Sequence, residues 1–367
     1  MKGRGLALCL LAVGCSGERA GAVAAPRCPN SVAPAVVDGD AVDHLTSRLQ
    51  SGALLVGEHH GQVAEIDLLV DVIAEQTQPV LVAMELLPAS AQGELDGMLA
   101  ADSFSEAAWL AIVGERYWPA PLHVREYVRV AEAAWKRSRD GVDVRLIGLA
   151  PDCRLGPLPD SRTAIACFRD RDDAMLRVLR EVRASHPQHR LVVSAGWRHL
   201  SAVRLPSAPK VMGESWPAHW PATRVLLTAP ERAAEAGGWV STCGAGPSAL
   251  AEARNGPVVV DLAHESAAGL TLGGCVDLPK ADTRSLSKAF DLLVALPPGA
   301  PPTPLDEDAF QLVDPSDRAA WVRTRRELMG QADAPTSPTA WASWAREDVD
   351  GLRAQLQAVE GCPTTLP

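Results

Sequence analysis

The chain has 367 residues, 47% of them hydrophobic, and carries a formal net charge of −10. That length and apolar share fit a globular protein of one large α/β domain or two smaller ones. The acidic balance, with no basic stripe or Lys/Arg run, excludes nucleic acid as the partner.

Residues 1–15 have the form of an export signal. Lys2 and Arg4 give a positive start, and Leu6 to Val13 form an apolar core too short to span a bilayer. Ala12-Val13-Gly14-Cys15 has the form of a lipobox, so Cys15 is the expected lipidation site. The lipid would tether the chain to a membrane face without a spanning helix. The alternative is a secretory signal cleaved after Ala25. Either way the mature chain is exported and works at the cell envelope, facing the periplasm or the surface. Export implies an oxidising compartment. Six cysteines then remain outside the signal, and proximity suggests the pairs Cys153–Cys167, Cys243–Cys275 and Cys28–Cys362.

Residues 16–38 are small, polar and Pro-containing, and read as a tether. A helix is predicted over 40–51 and a strand over 53–58. The Leu- and Val-rich run of that strand is short and continuous, which marks burial on both faces. Ile66, Leu69, Val70 and Ile73 place a helix at 61–77. A second strand covers 79–85. Residues 89–139 are helical in three pieces, broken near Asp102 and at Pro119 and Pro121, and form the predicted cap over the strand ends. A third strand follows at 142–150, a Pro-rich loop at 151–161, a charged helix at 166–185 and a fourth strand at 190–196. Later strands are predicted at 224–229, 257–263 and 290–296. Residues 301–367 read as a peripheral extension with helices near 315–331 and 338–359. Strands alternating with helices predict an α/β fold, a mainly parallel sheet covered on both faces.

Chemistry collects where strands stop. Gly57-Glu58-His59-His60 ends the first, Glu85 ends the second, and Gly196-Trp197-Arg198-His199 ends the fourth. Gly-x-x-His thus occurs twice, with a strand-end glutamate between. Ligands of open α/β sheets lie at such carboxyl ends. Glu58, His60, Glu85 and His199 converge if their strands are neighbours. Carboxylates and imidazoles together suit a divalent metal or metal-free acid/base work.

These blocks resemble a superfamily that groups ChaN-like haem-binding lipoproteins, Tiki and TraB proteins and erythromycin esterases. Gly57-Glu58-His59-His60 is similar to its first motif and Met84-Glu85 to its second. Arg171-Asp172-x-x-Met175 is similar to a helix start seen in many bacterial members, and Gly196-x-x-His199 to the last motif. The resemblance covers roughly residues 45–300. It is nearest the ChaN-like branch, whose Trp-rich helical segment is matched by Trp109 and Tyr117-Trp118-Pro119. It implies haem as a cofactor, with Tyr117, His123 and His59 as candidate ligands and Arg171 at the rim as a clamp for an anionic group.

Other residues read more plainly. His59 alternates with His60 and points away from the same spot. Glu65 reads as a solvated helix residue, although relatives opening on Gly-Glu-x-His-Gly carry an acid near there. His264 and Glu265 follow a strand and are candidates for the same edge. No Gly-x-Ser-x-Gly elbow is present.

Two functional readings stand open. One is an exported ChaN-like lipoprotein binding haem or another iron ligand. The other is a hydrolase, metal-dependent or not, cleaving an ester or peptide with Glu58, His60, Glu85 and His199. The expected partners are a small-molecule ligand, the membrane through the lipid, and a second copy of the chain.

Overall fold

The computed structural model describes residues 35–60, 62–116, 125–151, 170–203, 211–228, 247–267, 270, 286–297 and 299. The signal with Cys15, the six later cysteines, Tyr117, His123 and the extension beyond 300 lie outside these residues. So does nearly all of the Pro-rich loop.

Seven strands form one sheet: β1 (Ala53–Glu58), β2 (Val80–Pro88), β3 (Val144–Ala150), β4 (Arg190–Gly196), β5 (Ala222–Thr228), β6 (Val258–Asp261) and β7 (Leu292–Ala295). Their order is β3-β2-β4-β1-β5-β7-β6. All neighbours run parallel except β6, which runs antiparallel to β7. The helices are α1 (Ala41–Ser51), α2 (Val63–Ala74), α3 (Gln92–Ala100), α4 (Glu106–Arg116), α5 (Val128–Arg139), α6 (Arg171–Ser185), α7 (Trp197–Leu200) and α8 (Pro247–Arg254). The α/β class and mainly parallel sheet expected from the sequence are what the structure has.

The central strands are apolar throughout because their two faces serve two cores. Leu54, Val56, Val82, Met84 and Val192 pack with α1 to α5 on one face. Leu55, Leu81, Ala83, Val193 and Leu191 pack with Met175, Leu176 and Leu179 of α6 on the other. Each such side chain contributes roughly 1.5–3 kcal/mol when fully buried. A third cluster, with Trp197, Leu226, Leu293 and Phe290, fills the β5–β7–β6 end.

Three expectations change. β2 runs past Glu85 to Pro88, since Leu86 and Leu87 are also buried. The predicted tether ends earlier, because Val36 bridges Val260 and the Val37 N–H donates to the Val259 carbonyl at 2.8 Å. His264 and Glu265 do not reach the edge they were candidates for. β6 runs against its neighbours, so the residues after it lie at the opposite end of the sheet. There His264 Nδ1 pairs with Ser266 Oγ at 2.9 Å. The described helices of 89–139 cover one sheet face, and the short turn before α5 brings Tyr127 to the strand ends.

Candidate functional site

β4 lies between β1 and β2, with Glu58 opposite Gly196 and Met84 opposite Ser194. The two Gly-x-x-His blocks therefore end side by side, and Glu85 ends next to them. Period two then separates the acids. Glu58 prolongs the row Leu54, Val56 on the α5 face, and Glu85 prolongs the row Leu81, Ala83 on the α6 face. His60 crosses between them over the end of β4.

Two glycines make that crossing possible. A Cβ on Gly196 would stand 2.8 Å from His60 Nε2 and 3.5 Å from Glu85 Oε2. A Cβ on Gly57 would stand 2.9 Å from the Trp197 Cα and 3.2 Å from the Val225 carbonyl oxygen. Both are close-approach positions, and any side chain there must push the site apart.

Each catalytic-type imidazole is held at Nδ1 by a buried acid. His60 Nδ1 lies 3.0 Å from Glu58 Oε1, and His199 Nδ1 lies 2.9 Å from Asp172 Oδ1. A carboxylate can only accept, so each Nδ1 carries the proton and each Nε2 is left as the working nitrogen. Both Nε2 atoms face Glu85: His60 at 3.6 Å from Oε2, His199 at 3.3 Å from Oε1. Each ring keeps 22% of its side-chain surface exposed, while Glu85 keeps 1%. The imidazoles thus keep part of their surface open while the acid between them does not.

The acids are themselves anchored. Tyr127 Oη donates to Glu58 Oε2 at 3.0 Å. The Met212 N–H donates to Asp172 Oδ1 at 2.8 Å, and the Gly196 N–H to Glu85 Oε2 at 2.7 Å. Arg171 pairs with Glu85 Oε1. A third acid–imidazole pair stands beside these two: Glu65, 1% exposed, accepts from the His59 N–H at 2.6 Å and lies 3.2 Å from His59 Nδ1. The His59 ring centroid is 6.4 Å from that of Trp197.

The charges shift together. Burial alone would raise the Glu85 carboxyl, but His199, Arg171, His60 and the Gly196 N–H pull it down to about 2. Burial would lower both imidazoles, yet Glu85 and Glu58 carry His60, and Glu85 and Asp172 carry His199, above the ordinary value, with Arg171 opposing. Burial pushes Glu65 up, opposed by its contacts to His59. Burying so many charges costs desolvation even when they are paired. Perturbed groups gathered in this way make these strand ends the candidate functional site.

All four residues central to the sequence reading, Glu58, His60, Glu85 and His199, are brought together here. Arg171 is at the rim, pairing Glu85. His59 turns to Glu65, and Glu65 is buried rather than solvated. Tyr127 and Asp172 complete the site without having been singled out for it. Asp172 was visible within the Arg171-Asp172-x-x-Met175 block; nothing local marks Tyr127. Glu58, His60, Glu85 and His199 were also the candidates for a divalent metal. Among the described residues no three His, Cys, Asp or Glu are arranged to hold a metal ion. The acids and imidazoles pair with one another, and both Nε2 atoms face Glu85. Among the described residues no helix is long and apolar enough to cross a membrane.

No family model matches this chain, and no curated protein matches it. Solved structures do resemble it. A succinoglycan biosynthesis protein aligns with a TM-score of 0.50 at 10% identity, covering 74% of this chain and 97% of that one. An erythromycin esterase variant in its open conformation aligns at 0.48 and 12% identity, covering 71% and 94%. A haem-binding ChaN of Campylobacter jejuni aligns at 0.37 and 13% identity, covering 51% and 85%. The likeness to the succinoglycan biosynthesis protein is one of fold: the chain shares its α/β architecture over nearly that protein's whole length.

Proposed function

We propose that the chain is a hydrolase of an ester or peptide bond, in which the His60–His199 pair moves the protons. The observation that carries this reading is the doubled relay. Two imidazoles, each fixed at Nδ1 by a buried acid, present Nε2 over one shared carboxylate. One neutral imidazole takes a proton from water at Nε2 while the water oxygen bonds to the substrate carbonyl carbon. The other, as imidazolium, gives its Nε2 proton to the leaving oxygen or nitrogen as the carbonyl carbon releases it. Glu85 stabilises the charge on whichever ring is protonated, and Arg171 holds Glu85. No Ser or Cys nucleophile is needed.

The haem reading rests on the resemblance to the ChaN-like branch, with Tyr117, His123, His59 and Arg171 as its candidates; the first two lie outside the described residues, His59 meets Glu65 and Arg171 meets Glu85. What supports hydrolysis is the doubled relay itself. Export and lipid anchoring belong to the same proposal. They are supported by Lys2, Arg4, the apolar run to Val13 and the lipobox form ending at Cys15.

The test is turnover by the purified full chain over a panel of esters and short peptides. Glu58→Gln and His199→Asn are expected to abolish turnover while leaving thermal melting near that of the wild type. A saturable Soret band on hemin titration, with no turnover of any substrate, overturns the hydrolytic reading. Mass spectrometry of the N-terminus recovered from membranes reads the lipid on Cys15 directly.

A further inference from the structure

We propose that Glu65 is a positioning residue for His60: it clamps the turn between β1 and α2 and so sets where the His60 imidazole stands. The inference deepens the hydrolytic reading and rests on it for its kinetic consequences only.

Glu65 is the third residue of α2, and Gln62 is the residue that caps that helix. An acid at this place ordinarily reaches back to the N–H of the capping residue. Glu65 reaches past it to His59, three residues further back. It takes the His59 backbone N–H on one oxygen and the His59 ring on the other, at 2.6 and 3.2 Å. The Gln62 N–H then donates to the His59 carbonyl at 3.3 Å and closes the turn. Strand pairing ends at Glu58, so His59 lies just past the ladder of β1 and β4.

The next residue is His60, and its freedom is small. Its ring must meet Glu58 at one nitrogen and face Glu85 at the other while passing over Gly196. Residue 59 is gripped by backbone and ring together, so the path into residue 60 is fixed. Helix capping alone does not call for this arrangement. A solvated acid in the first turn serves the helix dipole equally well, whereas Glu65 is 1% exposed and lies close enough to Glu58 to feel its charge.

The experiment is an imidazole NMR titration of the full chain, comparing wild type with Glu65→Ala and Glu65→Gln. His199 serves as the internal control, since Asp172 and the Met212 N–H position it from other elements. In Glu65→Ala the His60 midpoint is expected to fall toward its ordinary value while that of His199 stays in place. Turnover is expected to drop about 10- to 100-fold, mostly in kcat, with KM changed less than about twofold. Glu65→Gln keeps an acceptor for the His59 N–H and is expected to recover most of both. If Glu65→Ala fails to fold, Glu65→Asp, one methylene shorter, must show the same selective shift of His60. The proposal is overturned if His60 titrates as in the wild type, or if His60 and His199 shift together. A wild type without turnover defeats the hydrolytic reading but leaves the titration to decide the role of Glu65.

Discussion

His60 and His199 face opposite oxygens of one carboxylate, Glu85, at 3.6 and 3.3 Å. That group does most to raise each imidazole against its burial, while Glu58 adds to His60 alone and Asp172 to His199 alone. Glu85→Gln keeps the shape and removes the charge. Both imidazole midpoints are expected to fall, because the group that most raises each of them is gone. Turnover is expected to fall about 10²- to 10⁴-fold, the range of a lost acid/base contribution. NMR titration and kinetics of the one variant check both halves. An unchanged His199 midpoint would show that Glu85 is not the link.

The same shifts set the pH dependence. His60 and His199 lie above their ordinary 6.5 in the folded chain, so their contribution to stability is full below pH 6.5 and is lost as pH rises through the raised values. Glu85 lies at about 2 against an ordinary 4.5, so its contribution is full above pH 4.5 and is lost as pH falls toward 2. The cluster thus stabilises the fold most between about pH 4.5 and 6.5. Activity needs one imidazole neutral and one charged, which places its maximum above pH 6.5. Melting curves and a kcat/KM profile from pH 4 to 10 should show these two optima displaced from each other. Coincident optima would count against the pair acting as acid and base.

Gly196 offers a steric test. A Cβ there meets His60 Nε2 at 2.8 Å, closer than atoms of the two groups can pack. Gly196 has φ of −51°, so alanine is not strained by the backbone itself. Gly196→Ala is expected to fold, to melt within about 1–3 kcal/mol of wild type as an overpacked site does, and to lose most of its turnover. A crystal structure of the variant should show the His60 ring swung off Glu58 or Glu85. Full activity would mean that His60 does not need its present position.

How far the chain betrays this site depends on what each residue reports locally. β1, β2 and β4 are legible because both faces of the sheet are buried, so Leu54 and Leu55 are apolar for different cores and the run is unbroken. Gly57 and Gly196 are legible because a close approach leaves no room for any other residue. Glu65 looks like an ordinary first-turn acid, which helices favour for their dipole, and only packing reveals its burial. Asp172 stands in a visible block at the start of α6, but only packing reveals that its carboxylate holds His199. Tyr127 is 69 residues from Glu58 and comes to it only through the packing of α5 on α2. The direction of β6 is equally silent, since four apolar residues read the same in either sense.

Tyr127 is the test of that long-range contact. Its hydroxyl is buried and donates to Glu58 Oε2 at 3.0 Å, so Tyr127→Phe leaves one carboxylate oxygen without that donor. A buried acceptor left unsatisfied costs about 1–3 kcal/mol. Stability is expected to fall by that amount. kcat is expected to fall about tenfold, a change of ~1.4 kcal/mol in the barrier, as Glu58 loses its fixed orientation toward His60. Chemical denaturation and steady-state kinetics read the two effects separately. Loss of stability with unchanged kcat would reduce Tyr127 to a core residue.

The two relays can finally be tested against each other. Glu58→Gln and Asp172→Asn each replace an acceptor at Nδ1 by an amide, which can hold the ring in the wrong tautomer and leave Nε2 protonated. Alone, each is expected to remove most of the activity. Because the rings share Glu85 and serve one proton circuit, the second substitution should add little to the first. The double mutant is expected to lie above the product of the single losses, with a coupling of roughly 0.5–3 kcal/mol. Simple additivity in the kcat/KM cycle would mean that His60 and His199 act in separate events, and the shared-carboxylate mechanism would then be wrong.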